Sequence, residues 1–577
     1  MRRKKVIWRL TTLVLATLGC LLLALLAPLF LAQRATDEPF LGYSVMASPR
    51  DLHVITGAIR LSSAPDLTLS RGALYADGNA VVGTPISRFV LDGPIFNLKA
   101  SGRSGRVEAI SEKLVAPLVE PLIAMNFDTL IIRRGTLNVT STEGDPETLS
   151  DIEAELSGWR KGQIAVRGSF FYRGQRLALE STLAPPGEDH PHRWATKLSL
   201  KSDLLEVAFD GQIDEADDLQ VAGQAELTSA SLRRLARWFS LPIPAAEGLN
   251  AASVSGQINW ARRSMAMQNA KVTVDGNEAT GALLLNLAGE RPLIDGTLAF
   301  GALDLAPYVE AARSQSYVFD RQTASWSAFD LSFPLIKYID ADLRISAPKV
   351  ALRNYGLGRG AATITVRSGR LLAELAELEL PSGVLSGQIT ADSDELVPRY
   401  ALRGKIENLE TGLASAWLFG GAVLTGRSTL VLDVAGIGQT PTELLRQLSG
   451  KATLSVPEGG KLQVDLNALR AAAKDNAQTG WRQTKGQIAL EPFEAKVLVQ
   501  NGVVIGEVAC ARAGGLAIGA TGRVDLTEQN IDLRLLLKPN APSDRPLKAA
   551  DLADAETIVL RGPWQAPYVR SENAAAP

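Results

Sequence analysis

The sequence predicts a mainly β protein: an elongated antiparallel β-sheet with a few short capping helices, behind one N-terminal transmembrane helix. Three observations predict it. Short runs of alternating apolar and polar residues recur along the chain, which is the pattern of strands with one wet face, as in antiparallel sheets. Many of the 50 glycines in the 577 residues end such runs, where tight turns need positive φ. An apolar stretch without charges precedes all of them.

The first segment of the chain carries a topology signal. An apolar stretch at 10–32 contains no charged residue, and five basic residues precede it: Arg2, Arg3, Lys4, Lys5 and Arg9. A helix of about 20 apolar residues spans a bilayer, and the basic flank stays in the cytoplasm. We expect a single-pass membrane protein with residues 1–9 in the cytoplasm and everything after residue 33 on the other side of the membrane. A cleaved signal peptide is the alternative, but the small residues of a cleavage site are poorly placed here.

The strands of the body are predicted from individual alternating runs. In the run 271–276 two valines share one face, and Asp275 and Gly276 supply a turn. The same alternation occurs at 342–346, 363–367, 453–456 and 531–535. Alternate residues of a strand point to opposite faces, so the apolar members should form one continuous inner face. The predicted residues of this face are Val272, Val274, Leu343, Ile345, Ile364, Val366, Leu430, Leu432, Leu454, Val456, Leu533 and Leu535.

Helical patterns are few and short. They occur at 111–125, 228–239 and 466–476. We interpret them as helices that cover the sheet or its edge, since amphipathic helices in β proteins usually cover core. For 228–239, where arginines lie beside Trp238, a membrane-surface role is the alternative. Loop-like compositions at 184–193 and 538–548 indicate breaks between strands.

Groups for catalysis are scarce. The chain has three histidines; His53 stands alone, while His190 and His192 lie in a loop-like sequence without further ligands of a metal site. The glycine-rich stretch 356–360 lacks the spacing of a phosphate-binding loop and is interpreted as a hairpin turn. No GxSxG or HExxH sequence occurs. We therefore predict no catalytic residue, no metal and no cofactor, and interpret the chain as a non-enzyme.

The charge balance bears on nucleic-acid binding, and the two cysteines bear on whether a disulfide stabilises the fold. The 60 Lys plus Arg balance the 62 Asp plus Glu, so nucleic acid is not an expected partner. Cys20 lies in the apolar stretch and Cys510 in a predicted strand, and no disulfide is expected between them. Stability must then come from sheet pairing and burial.

Four stretches with a common strand-and-turn pattern follow one another behind the N-terminal segment. The third is the most specific: it runs from Gly281 through Asp295 and Gly296 to Leu303-Asp304-Leu305 and Tyr308. The others are 57–67, 127–137 with 149–153, and 444–466 with 522–535. In this order, and over most of the chain, they resemble the AsmA family of bacterial envelope proteins. The segment 101–125 departs from the pattern of that family.

The resemblance implies a repeated β-sheet curled into a groove with an apolar inner face. It implies an inner-membrane-anchored periplasmic protein that binds or conducts phospholipid for outer-membrane assembly and envelope lipid homeostasis. Membrane phospholipid, the inner membrane and outer-membrane assembly factors are the implied partners. The expected regions are the cytoplasmic 1–9, the anchor 10–32, AsmA-like β regions at 33–225, 226–420 and 421–569, and a disordered tail at 570–577.

Two alternatives stay open at this stage. Aromatic residues make up only 6% of the chain, which suits an aliphatic groove for acyl chains, but an ordinary β-sandwich has the same alternating faces. A scaffold or regulator of outer-membrane protein assembly that carries no lipid is the alternative function. An outer-membrane barrel is disfavoured by the N-terminal helix and by the missing aromatic girdles.

Overall fold

The computed structural model describes residues 58–62, 66–69, 88–93, 95–100, 129–141, 147–158, 162–184, 186–214, 220–241, 248–289, 291–309, 319–320, 325–326, 331, 334–352, 355–393, 397–413, 415, 422–475, 478, 486–513, 515–539, 545, 547–564 and 566–572. The predicted anchor at 10–32 with its basic flank, His53 and the predicted helix at 111–125 lie outside the described residues. No helix within the described residues is long and apolar enough to cross a membrane.

The chain divides into two compact units. Unit 1 comprises Met1–Ile243 and Leu249–Leu298, and unit 2 comprises Pro244–Gly248 and Ala299–Pro577. The described residues of both units are mainly strands, which confirms the prediction that the fold is mainly β. The division into three β regions stays a prediction.

Unit 1 is built on a ladder of strands and one helix. The strands are β1 (Ala58–Ser62), β2 (Asp66–Leu69), β3 (Arg88–Asp92), β4 (Ile95–Ala100), β5 (Thr129–Ser141), β6 (Glu147–Ser157), β7 (Ile164–Tyr172), β8 (Gln175–Ala184), β9 (Arg193–Lys201), β10 (Glu206–Asp214), β11 (Gln220–Ser229), β12 (Ala252–Ala261), β13 (Ser264–Val274) and β14 (Asn277–Asn286), with β15 (Leu293–Phe300) at the boundary in sequence. The helix is α1 (Leu232–Trp238).

From β5 to β14 each strand of unit 1 pairs antiparallel with the next. The start of the unit departs from the predicted antiparallel pattern, because β3 and β4 both pair parallel with β5. Gly93, with φ of 65°, follows β3 just before β4. Parallel neighbours require a long connection, and residues 101–128 separate β4 from β5.

Unit 2 repeats the antiparallel ladder with interruptions. Its elements are β16 (Leu303–Asp304), α2 (Ala306–Val309), β17 (Phe319–Asp320), β18 (Ser325–Trp326), the 3-10 helix Pro334–Lys337, β19 (Asp340–Ala347), β20 (Val350–Leu352), β21 (Tyr355–Leu357), β22 (Gly360–Arg367), β23 (Arg370–Glu379), β24 (Val384–Asp392), β25 (Arg399–Glu410), β26 (Leu424–Thr425), β27 (Arg427–Ile437), α3 (Pro441–Arg446), β28 (Ser449–Val456), β29 (Gly460–Leu462), α4 (Leu466–Lys474), β30 (Ile488–Leu490), β31 (Phe493–Gln500), β32 (Val503–Ala513), β33 (Leu516–Asp525), β34 (Asn530–Pro539), the 3-10 helix Ala549–Leu552, β35 (Glu556–Pro563) and β36 (Tyr568–Ser571).

The main sheet of unit 2 has the antiparallel order β19, β22, β23, β24, β25, β27, β28, β31, β32, β33, β34, β35, β36. The short strands left out of this order form small sheets: β16 with β20 and β21, β17 with β18, and β26 with β29 and β30. All five alternating runs chosen from the sequence lie in strands.

Two-residue turns join several of these strands, and their sequences explain why. Asp275 and Gly276 between β13 and β14 both have positive φ, at 50° and 84°. Ser368 and Gly369 between β22 and β23 have nearly the same values, 53° and 84°. Positive φ at both central residues is the requirement of the type I′ hairpin turn, and glycine meets it without strain. The glycine at the end of a run therefore allows the two-residue turn that joins the strands of the hairpin.

The helices begin later or end earlier than predicted. Residues Thr228 and Ser229 still belong to β11, and α1 begins only after Ser231, whose side chain accepts a hydrogen bond from the amide of Arg234. In α4, Asp465 accepts from the amides of Asn467 and Ala468, and the helix ends at Lys474. In both cases the residue just before the helix accepts hydrogen bonds from backbone amides of the first turn. Such side chains offer the backbone an alternative to strand pairing, so the helix begins after them.

Two predicted loops and the predicted tail can also be placed. β8 ends and β9 begins at the limits of the predicted loop 184–193. β34 continues to Pro539, into the predicted loop 538–548. Arg570 and Ser571, the first residues of the predicted tail, pair in β36 with Val559 and Ile558; residues 573–577 lie outside the described part.

Candidate functional site

The twelve predicted inner-face residues lie on six strands. Val272 and Val274 belong to β13 of unit 1, where they are opposite Val254 and Ala252 of β12. The other ten belong to β19, β22, β27, β28 and β34 of unit 2.

The register of unit 2 places its ten predicted residues on one face. Leu343 is directly opposite Ile364, and Leu430 is opposite Leu454. Directly opposite residues of an antiparallel pair share a face of the sheet. We call the face that carries these ten residues, and the residues opposite them along the register, the inner face of unit 2.

Intervening strands continue this face as a row of directly opposite residues. The row from Ile364 passes through Ala373, Ile389, Leu402 and Val434. Through Gly450 of β28 it continues to Val499, Val504, Val524 and Ile531. The strands skipped by the sequence prediction, β23 to β25 and β31 to β33, therefore belong to the same face.

The inner face has no charged side chain on the described main-sheet strands from β19 to β34. Two hydroxyls interrupt its apolar character. The Tyr400 hydroxyl donates to the carbonyl of Leu331 at 2.9 Å, and the Ser428 hydroxyl donates to the carbonyl of Leu409 at 3.2 Å. Both donors are satisfied, so the face offers almost no polar group to a ligand.

Much of the inner face is incompletely buried. Eight of the ten predicted residues are half-buried, and only Val366 and Val456 are buried. In the middle of the face, the Ile389 side chain is 50% exposed. A closed β-sandwich core would bury these aliphatic side chains against a second layer.

The opposite face of the same sheet is polar and paired across strands. Arg370 binds Asp392 at 2.8 Å, and Arg403 binds Asp433 at 3.2 Å. Pairs as exposed as these contribute about 0–1 kcal/mol each. From β19 to β34 the charged side chains of the described sheet lie on this face, which also carries the exposed Val431 and Leu498.

Unit 1 has an apolar face of a different kind between β5 and β9. Leu130 is opposite Leu156, which is opposite Val166, and Leu179 is opposite Leu200. These five side chains are at most 1% exposed. This part of unit 1 is a closed hydrophobic core.

A buried polar cluster at the edge of that core was not predicted from the sequence. Arg173, in the turn after β7, donates from Nε to Glu147 Oε2 at 2.9 Å, and Glu147 is 4% exposed. Trp238 of α1 donates from Nε1 to the carbonyl of Tyr172 and packs edge-on against the Tyr172 ring at 5.6 Å. Burial raises the pKa of Tyr172 above its usual value. The cluster fastens α1 to the core; its residues are far apart in sequence and gave no local signal.

The other residues singled out in the sequence form no site among the described residues. His190 and His192 are exposed in the loop between β8 and β9, and no cluster of three metal-ligating side chains occurs in the described ranges. The glycine-rich stretch 356–360 is not a hairpin turn: it contains the end of β21 and the first residue of β22. Arg359 of this stretch pairs with Glu377 and Glu379 of β23.

The chain was compared with protein-family models, curated proteins and solved structures. No family model, no curated protein and no solved structure matches the chain. The AsmA resemblance stays a prediction made from the sequence.

Proposed function

We propose that the chain is an inner-membrane-anchored periplasmic protein that binds or conducts phospholipid for outer-membrane assembly and envelope lipid homeostasis. One observation supports the proposal most directly: on the described main-sheet strands from β19 to β34 the inner face of unit 2 carries no charged side chain, and eight of its ten predicted residues are only half-buried. Soluble proteins rarely leave a large apolar surface open without a partner for it.

An acyl chain suits this surface better than a peptide or a sugar would. Covering apolar surface contributes about 0.8 kcal/mol per buried methylene, and an acyl chain carries no polar group that would lose its hydrogen bonds. A peptide backbone would need partners for each N–H and C=O group. The two inner-face hydroxyls already donate to carbonyls of the chain itself.

We further propose that the sheet curls toward its inner face and forms a groove. Gly387 and Gly404 are opposite each other on this face, as are Gly506 and Gly522. A Cβ on Gly387 would stand 2.7 Å from the Cα of Gly404, so the backbones approach too closely for side chains there. Irregular register also occurs between β22 and β23, β23 and β24, β25 and β27, and β32 and β33. Glycines and bulges of this kind are the devices that curve sheets.

The test is site-specific photo-crosslinking of the full-length chain in cells with labelled phospholipid. A crosslinking residue at Ile364, Leu402 or Leu432 should capture phospholipid. The matched controls are Thr365, Arg403 and Asp433, each the next residue in its strand, where the side chain points to the opposite face.

Two results would contradict the proposal. Equal capture on both faces would indicate non-specific contact with membrane lipid. No capture at any inner-face position would leave the alternative function, a scaffold or regulator of outer-membrane protein assembly without lipid.

A further inference from the structure

The segment between β28 and β31 leaves the main sheet although the two strands are neighbours. β28 and β31 pair along their whole length, from Gly450 opposite Val499 to Val456 opposite Phe493. Residues 457–492 between them form β29, α4 and β30 outside the main sheet. We call residues 463–475 of this segment the strap.

The strap lies on the inner face at the C-terminal end of unit 2. Val464, Leu466, Leu469 and Ala473 pack in one buried cluster with side chains of β33 to β36. Those partners belong to the inner face, because Ile558 is opposite Leu535 and Leu560 is opposite Leu533. The strap therefore covers the face that is open in the middle of the sheet.

The difference in exposure along one face is large. Leu469 of the strap is 2% exposed and Ile558 beneath it 0%, whereas Ile389 in the uncovered part is 50% exposed. The apolar surface continues under the strap, and Leu462, Ile488 and Leu490 beside the strap also pack against this covered cluster.

An ion pair fastens the strap to the sheet. Arg470 donates from Nε to both oxygens of Glu556, at 3.1 and 3.0 Å, and from Nη2 to Oε2 at 2.7 Å. Glu556 is opposite Leu537 and so lies on the inner face. Among the described main-sheet residues of this face, from β19 to β36, it is the single charged one. Both side chains of the pair are more than a third exposed, and Arg470 is the strap residue that pairs with this carboxylate.

The strap helix depends on the surface that it covers. α4 has nine residues, and isolated helices shorter than about 12 residues are marginal in water. Lifting the strap would leave the pairing of β28 with β31 in place, because the strap contributes no strand to the main sheet. Separation of the strap from the face would therefore break no strand pairing of the main sheet.

We propose that the strap is a displaceable cover over the C-terminal end of the inner face, held down by Arg470 and Glu556, which excludes acyl chains until it lifts. This inference rests on the proposed function, since it assumes that the uncovered part of the face contacts lipid. The strap then decides how far along the sheet a lipid travels.

The experiment places a photo-crosslinking residue at Leu560, under the strap, in the full-length chain in cells with labelled phospholipid. The same residue at Leu432, in the uncovered part, is the internal reference. In the otherwise unchanged chain we expect capture at Leu432 and little at Leu560. Arg470→Glu places two carboxylates together, and capture at Leu560 should rise about fivefold. The exchange of both charges, R470E with E556R, should return it to the original level.

Because the ion pair is exposed, its loss can have a small effect, and a second variant therefore disturbs the buried contact of the strap. Leu469→Asp puts a charge into the buried contact of the strap, and capture at Leu560 should rise more than in Arg470→Glu, with Leu432 unchanged. Strong capture at Leu560 in the unchanged chain would show that the strap excludes nothing. Capture at Leu432 with none at Leu560 in either variant would show that the strap does not lift. Loss of capture at Leu432 in the unchanged chain would overturn the proposed function itself, and the strap proposal with it.

Discussion

The strands β5–β9 of unit 1 and β22–β28 of unit 2 share the alternation of apolar and polar residues, but their apolar faces differ in exposure. In both, every second residue is apolar, and the register brings these residues onto one face. In unit 1 that face is closed, with Val166 and Leu179 each 1% exposed. In unit 2 it is half-open, with Ile389 50% exposed.

Side-chain size separates the two regions. The closed face includes Phe170 and Tyr172, and Trp194 on β9, all buried. Each aromatic side chain buries about 150–250 Å². On the half-open face, β24 and β25 instead contribute the opposed glycines Gly387 and Gly404. Alternation therefore determines which residues share a face, whereas the volume placed on that face decides whether it can close on itself.

The largest difference is expected when a charge is placed on each face. Val166→Asp would bury an unpaired carboxylate, so we expect unit 1 to lose about 3 kcal/mol or more of its free energy of unfolding. Ile389→Asp should cost less than about 1 kcal/mol, since water reaches that position. Hydrogen exchange of the purified full-length chain would report each unit separately. Equal destabilisation by the two substitutions would mean that the inner face of unit 2 is an ordinary closed core.

A smaller difference is expected within one glycine pair. Gly387 has φ of 152°, and a Cβ there would stand 2.2 Å from the carbonyl oxygen of Arg403. Gly387→Ala should therefore cost about 1–3 kcal/mol and reduce lipid capture at Leu402. Gly404→Ala is the matched control: the nearest atom to its Cβ, the carbonyl oxygen of Ser386, is 3.5 Å away, and the effect should stay within about 0.5 kcal/mol. Thermal unfolding and crosslinking yield measure both; similar losses in the two variants would argue against a bend at Gly387.

The smallest effect is expected when the pH is lowered, and it concerns the end of unit 2 that the strap covers. There the 3-10 helix Ala549–Leu552 covers the face opposite to the strap, with Leu552 in a cluster with Ala517 and Ala555. Hydrogen bonds from Arg545, then from the Lys548 amide, lower the pKa of Asp551 from 3.8 to about 2. Because the folded-state pKa is the lower one, this stabilisation is present above the unfolded pKa and is lost as the pH falls toward 2.

Amide exchange of Ala517, corrected for intrinsic rates, should therefore accelerate modestly between about pH 5 and pH 2.5. Asp551→Asn should remove most of that pH dependence while leaving the exchange of Val166 in unit 1 unchanged. An identical pH response in the Asn variant would show that Asp551 does not hold the 3-10 helix in place.

Several features of the fold could be predicted from the sequence because they are local. The run 271–276 contains both its alternation and its turn, and the structure has β13 ending at Val274 before Asp275 and Gly276. The parallel pairing of β3 and β4 with β5 could not be predicted, because nothing within these strands encodes the direction of a distant partner. The pair Arg470 and Glu556, 86 residues apart, escaped prediction for the same reason.

By itself, the sequence determined five strand runs and the turn at Asp275 and Gly276. It also determined that Leu343, Ile364 and Leu454 lie on the apolar sides of their strands, since a period of two is a property of the extended backbone. Only the tertiary structure decided how those sides are used. Register joins them into one face, large side chains close the core of unit 1, and the strap covers one end of unit 2. These outcomes depend on side-chain volume and on contacts between distant segments, which alternation within a strand does not specify.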